Sequence, residues 1–144
     1  MNQEHKHTCK AILIKCIDFR LEKEMRHWLD ENNLTGDCDI VSLAGATQEL
    51  SNKKEIQDLF LKQIQIAHNL HQASQVILVH HSDCGAYKNI YHFKNETEER
   101  IVQIKDMNKA EKIIKENFPD MVIKKIWAQL NDIQGNFITF ETID

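Results

Sequence analysis

Two apolar rhythms alternate along the chain. Ala11-Ile12-Leu13-Ile14 and Val76-Ile77-Leu78-Val79 are continuous apolar runs, as expected of strands covered on both faces. They predict strands over 10–16 and from Gln75 to Val79, with a shorter one at Asp39-Ile40-Val41-Ser42-Leu43. Between them the period lengthens to that of a helix. Leu21, Met25, Trp28 and Leu29 form a stripe opposite Lys23, Glu24, Arg26, His27, Asp30 and Glu31, which predicts a helix over 21–32. A longer helix, capped by Ser51 or Asn52 and running to about His71, is apolar at Ile56, Leu59, Phe60, Ile64, Ile66, Ala67 and Leu70. Those positions cover more than half of its circumference, so it packs on a sheet and on something else besides. A third helix, Glu96 to Asn117, offers Ile101, Ile104, Met107, Ile113 and Ile114 to the core and ends before Pro119. Val122–Leu130 and Asn136–Phe140, joined through Asp132-Ile133-Gln134-Gly135, read as an antiparallel terminal hairpin. The order βαβαβα plus hairpin predicts an α/β fold: a mostly parallel central sheet with flanking helices and an antiparallel edge strand.

Length and composition narrow the possibilities. At 144 residues and 42% apolar content, the chain suits one domain over 10–144 behind a loose polar tail, 1–9. A formal charge of −4 without a basic run argues against a nucleic-acid partner. No apolar stretch approaches the roughly 20 residues that span a bilayer, and Met1 to Lys10 carries no secretory apolar region. Four cysteines without an export signal point to a cytoplasmic protein whose thiols serve metal binding or catalysis.

The candidate chemistry gathers where strands end. His81-Ser82-Asp83-Cys84-Gly85 follows the central strand, and Cys16-Ile17-Asp18-Phe19-Arg20 follows the first. In open α/β sheets, sites form at the carboxyl ends of strands, and Cys16, His81 and Cys84 are three soft ligands suited to zinc. If the chain stays extended past Cys16, a period of two puts Cys16, Asp18 and Arg20 on one face, a thiolate beside a carboxylate and its guanidinium partner. Taken singly, each motif has a bland reading: a buried strand-end cysteine with a surface ion pair, or a satisfied core histidine. Other features read as structural. His80 faces away from His81; His68 and His71 sit on a mixed helix surface; Cys38 precedes a strand. His5, His7 and Cys9 alternate in the tail and could hold a metal adventitiously. Tyr87, Tyr91 and Phe93 wall either a pocket or the core, and Ala44-Gly45-Ala46-Thr47 lets backbone approach something closely.

The pair Cys16-x-Asp18-x-Arg20 and His81-x-x-Cys84-Gly85 resembles the β-class carbonic anhydrases, as do the strand before each motif, the Ala44-Gly45 turn and the strand Val122–Leu130. The likeness spans roughly residues 10–142. It implies zinc held by Cys16, His81 and Cys84, and reversible hydration of carbon dioxide to bicarbonate by a metal-bound hydroxide. Asp18 then either pairs with Arg20 or becomes a fourth ligand, and homodimers or higher even oligomers are expected. The chain departs from the family at Ser42 and Leu43, which stand where an Arg and an Asn are usual before the Ala-Gly turn. No helical arm precedes the first strand, and the glutamine that some members use to orient bicarbonate has no clear counterpart, Gln48 being the candidate. Those departures leave two alternatives: a related hydrolase of carbonyl sulfide or carbon disulfide, and a non-catalytic zinc-stabilised domain closed by Asp18.

Overall fold

A computed structural model of the chain describes residues 7–50 and 52–144; the tail position His5 and the cap candidate Ser51 lie outside the described residues. Its element order is β1 (Ala11–Lys15), a 3-10 turn (Phe19–Leu21), α1 (Glu22–Glu31), β2 (Cys38–Ser42), α2 (Lys54–Leu70), β3 (Gln75–His81), α3 (Gly85–Lys88), α4 (Glu96–Asn117), β4 (Val122–Leu130) and β5 (Ile138–Ile143). The sheet runs β2-β1-β3-β4-β5, parallel except for the final antiparallel strand. This is the predicted α/β architecture.

Strand alternation divides the interior into two layers. Ala11, Leu13, Ile77, Val79, Ile126 and Ala128 face Leu21, Met25 and Leu29 of the α1 side. Ile12, Ile14, Val76, Leu78 and Trp127 face Phe60, Ile64 and Ala67 of α2 and Met107, Ala110 and Ile114 of α4. Both faces of the central strands are thus buried, which is why their sequences are unbroken apolar runs. Among the described residues no helix is long and apolar enough to cross a membrane.

Two helices differ from expectation in informative ways. In α4, Ile101 is exposed (63%), while Glu99, Gln103 and Asp106 are buried with Met107, Ala110 and Ile114. The stripe against the sheet begins polar because its first turns lie beneath the loop after β3, where polar backbone groups need partners. In α2, Phe60, Ile64 and Ala67 pack inward, whereas Leu59, Ile66 and Leu70 are exposed along another face.

Strand order sets where a site can form. From β1 the chain moves outward to β2 and then returns to β3 on β1's other flank. The crossover helices leave in opposite senses at that point, opening a crevice at the carboxyl ends of β1 and β3. Cys16 follows β1 and His81 ends β3.

Candidate metal centre

Three ligand atoms, from Cys16, His81 and Cys84, lie within 4.8 Å of one another, and all three residues are buried. The thiols are 3.9 Å apart. β1 and β3 supply Cys16 and His81 directly. Cys84 is brought back by a turn in which Asp83 takes φ +56°, a left-handed conformation that aspartate tolerates better than most residues. The turn is pinned from several sides. Ser82 N–H donates to Ala128 O at 3.0 Å, and Leu130 N–H donates to Ser82 Oγ at 2.8 Å.

Beneath the turn lies Glu99, whose carboxylate accepts from the Asp83 N–H (3.1 Å), the Cys84 N–H (2.9 Å) and Gln103 Nε2 (3.1 Å). The Gln103 amide also donates to His81 O at 2.8 Å. Its nitrogen therefore faces two acceptors, and its Oε1, 3.0 Å from His80 Nδ1, must accept. His80 Nδ1 carries the proton, and Nε2 accepts from Thr47 Oγ at 2.7 Å. Complete burial pushes the His80 pKa down to about 4, so the ring is neutral. His80 is a structural brace facing away from His81, as its place in the strand predicts.

His81 differs. Its Nδ1 lies 2.7 Å from Ser82 O, which fixes the proton on that nitrogen. Among the described residues its Nε2 is buried without a hydrogen-bond partner. An orphaned imidazole lone pair beside two thiols is unfavourable unless a cation is gathered there. The hydrogen bond between the thiols drives Cys16 down against burial, with His81 and the Gly45 N–H assisting, while the same bond and burial push Cys84 up. Gly45 N–H donates to Cys16 Sγ at 3.4 Å. The small-residue turn thus approaches a thiol closely. A Cβ on Gly45, whose φ is +75°, would sit 2.5 Å from Gln48 Oε1.

Asp18 and Arg20 do not continue an extended strand. β1 stops at Lys15, and Asp18 caps the 3-10 turn by accepting from the Arg20 N–H at 3.0 Å. A turn satisfies amides that an unpaired strand extension would leave bare. The two side chains still meet: Arg20 reaches Asp18 through Nε (3.1 and 3.2 Å) and Nη2 (2.7 Å). Its other face donates to Asp83 Oδ2 (2.8 Å), Asp83 O (2.9 Å) and Ile133 O (3.2 Å). Burial raises the Asp18 carboxyl, but the Arg20 bonds outweigh it and hold the group below its ordinary value. Asp18 Oδ2 lies 3.8 Å from His81 Nε2. Cys16, Asp18, Arg20 and Asp83 border an open cleft that also contains Phe19, Ala44, Lys88 and Ile133.

The remaining candidates are placed as follows. Tyr87 is fully buried and donates to Asp106 at 2.8 Å, while Tyr91 and Phe93 stack outward from it. Ser42 Oγ donates to Cys16 O at 3.2 Å, away from the cleft. Leu43 and Gln48 line an adjoining cavity of about 330 Å³, and Gln48 Nε2 is buried without a partner among the described residues. Glu99 and Gln103 were not legible as site residues. Their only sequence signal is their i,i+4 spacing on the face continued by Met107, Ala110 and Ile114.

Comparison with known proteins bears on the family and the fold. The chain is 34% identical over 147 aligned positions to an uncharacterised protein of Rickettsia bellii, covering 94% of this chain and 85% of that protein. The fold superposes on β-carbonic anhydrase isoform I of Trichomonas vaginalis with a TM-score of 0.64 at 12% identity, covering 99% of this chain and 87% of that one. One of two tetrameric β-carbonic anhydrases of Sordaria macrospora gives a TM-score of 0.59 at 12% identity, covering 95% and 81%. The family model described as "Putative carbonic anhydrase" matches residues 6–138. With a buried Cys-His-Cys group at the switch point of a β-carbonic-anhydrase-like sheet, the chain belongs to that carbonic anhydrase family.

Proposed function

We propose that the protein is a zinc-dependent carbonic anhydrase, hydrating carbon dioxide reversibly to bicarbonate. One observation carries the reading: the lone pair of His81 Nε2 is buried and unpartnered beside two thiols 3.9 Å apart. Two sulfurs and one nitrogen form a donor set that fits zinc and leaves one position open, as catalytic sites do. In this reading Cys16, His81 and Cys84 hold the metal. Bound there, zinc supplies the Lewis acidity that ionises water near working pH.

The chain's own residues have the following roles. Asp18 Oδ2 accepts the hydrogen of a water at the site and so orients it; Arg20 holds the carboxylate off His81. Gln48 Nε2, a donor without a partner, offers a hydrogen bond to a substrate oxygen. Glu99 fixes the turn that carries Cys84. Two thiolates neutralise the ion, so activity rises into the alkaline range, above the pH near 7 at which water ionises at sites with three histidines.

A second reading, hydrolysis of carbonyl sulfide or carbon disulfide, draws on the apolar wall made by Leu43, Ala46 and Phe60 in the adjoining cavity. Four free thiols suit a reducing cytoplasm. The exposed face of α2 at Leu59, Ile66 and Leu70, with exposed Ile90 lining the same cavity as Leu59, supports a homodimer. A monomer in sedimentation at micromolar concentration refutes the dimer.

Stopped-flow hydration on zinc-loaded protein tests the reaction. His81→Ala and Cys84→Ser should each lose about one zinc per chain together with activity. Sulfide release without hydration selects the second reading. Silence in both, with zinc retained, means that Asp18 closes a non-catalytic site.

A further inference from the structure

At the opposite edge of the sheet, a second group of donors converges that the proposed reaction does not use. Cys9 precedes β1, Asp39 is the second residue of β2, and His71 follows α2. One ligand atom from each lies within 4.8 Å of the other two, and all three residues are half-buried. They line a cavity of about 290 Å³ together with His7 and Cys38. The backbone fixes this arrangement. Cys9 N–H donates to His71 O at 2.9 Å, Lys10 N–H to Asp37 O at 3.0 Å, and Ala11 is in register with Cys38.

The charge pattern is lopsided. Burial raises the Cys9 thiol against the lowering pull of the Asp39 N–H, and the Asp39 carboxylate adds to the rise; burial raises Cys38 to about 12, with Cys9 and Asp39 adding again. Among the described residues, the ion-pair partner of Asp39 is His71, with Nδ1 and Oδ2 2.6 Å apart; Lys10 is engaged with Asp37. Anion-forming groups are therefore crowded together without a fixed cation. The His7 ring meets that of His71 edge-on, with centroids 5.0 Å apart.

We propose that Cys9, Asp39 and His71 form a second, structural site for a divalent metal of the zinc class, with His7 beside its fourth position. A sulfur, a nitrogen and a carboxylate oxygen suit zinc or cobalt, whereas magnesium and calcium take oxygens alone. One thiolate and one carboxylate balance the ion's charge. Binding exchanges the His71–Asp39 hydrogen bond for two metal bonds and displaces the Cys9 proton to solvent. It ties the segment before β1 to β2 and to the end of α2. Cys9 and Cys16 are seven residue steps apart along largely extended chain, about 23 Å at strand spacing. The two sites are independent.

Cobalt titration of metal-free protein under reducing conditions, read by absorbance and elemental analysis, tests the site. Wild type should take up two equivalents. Cys9→Ala and His71→Ala should each take up one, with the visible cobalt spectrum of the Cys16-His81-Cys84 site intact. Asp39→Asn, nearly isosteric, guards against a folding defect: with an unchanged circular dichroism spectrum it should bind the second equivalent at least tenfold more weakly. Cys84→Ser should keep the second equivalent, which separates failure of this site from failure of the proposed zinc lyase. A single equivalent in wild type that Cys84→Ser abolishes, or two in both Cys9→Ala and His71→Ala, overturns the proposal.

Discussion

Arg20→Ala separates the two fates of Asp18. In the wild type, the guanidinium makes three contacts to the Asp18 carboxylate and three to the Asp83 and Ile133 groups. Both Arg20 and Asp18 side chains are 13% exposed, so deleting the cation strands a largely buried anion, at a cost of about 2–3 kcal/mol. Asp83 is 43% exposed and keeps Lys88, so its share is below about 1 kcal/mol. The total, near 3 kcal/mol, should lower the melting temperature of metal-free protein by roughly 10 °C. With zinc present the loss should be smaller, because the freed carboxylate, 3.8 Å from His81 Nε2, gains the metal as partner. That same move blocks the open position, so the variant should keep its zinc and lose most hydration activity. Arg20→Lys keeps the charge but not the forked geometry and should fall between. The Asp18 carboxyl is held below its usual value. The wild type's advantage is therefore full above about pH 4, where the unfolded group is ionised, and fades as pH falls below it. Calorimetry with and without zinc, alongside stopped-flow rates, gives the comparison. Equal destabilisation in both forms, or full activity in Arg20→Ala, refutes the switch.

Three further outcomes follow from the geometry. Gly135→Ala should destabilise by about 1–3 kcal/mol, since φ is +74° and a Cβ would lie 2.6 Å from Arg20 O; denaturant midpoints check this. Glu99→Ala leaves the Asp83 and Cys84 N–H groups without their buried acceptor and should cost at least about 3 kcal/mol, as well as lowering zinc affinity. Equilibrium unfolding and chelator competition measure the two effects, and unchanged affinity would mean that the turn holds itself. His80 has a folded pKa of about 4 against an ordinary 6.5, so the unfolded chain binds the extra proton first. Stability is complete above pH 6.5 and declines towards pH 4 by about 3 kcal/mol, a slope that His80→Gln should flatten.

The parts of the fold that sequence revealed are those in which local pattern and environment coincide. β1 and β3 are buried on both faces and read as unbroken apolar runs, and α4 falls at its predicted bounds, Glu96–Asn117. The strand-end cysteines and His81 were legible because residue type and position at strand ends agree. What stayed hidden depends on distant partners. Ile101 reads as core, and Glu99 gives no signal of burial, because a helix shows its apolar residues but not which positions face a polar loop. The extension beyond Cys16 was misread because its alternation mimics a strand, while Asp18 is an amide cap. The Cys9, Asp39 and His71 cluster joins residues as much as 62 positions apart in the numbering and leaves no local spacing at all.

The acidic strut under the Cys84 turn changes what counts as a portable unit. Transplanting the segments Cys16–Arg20 and His80–Gly85 onto another parallel sheet would move every proposed ligand yet leave two turn amides facing nothing. The smallest fragment worth grafting includes α4 from its start at Glu96 through Glu99 to Gln103. The same holds when variants are screened by eye. A charge-removing change at Glu99, set among Glu96, Glu98 and Arg100, looks like an innocuous surface edit, but its carboxylate belongs to the interior. Libraries that treat this acidic stretch as interchangeable will discard function at one position while sparing it at the neighbours.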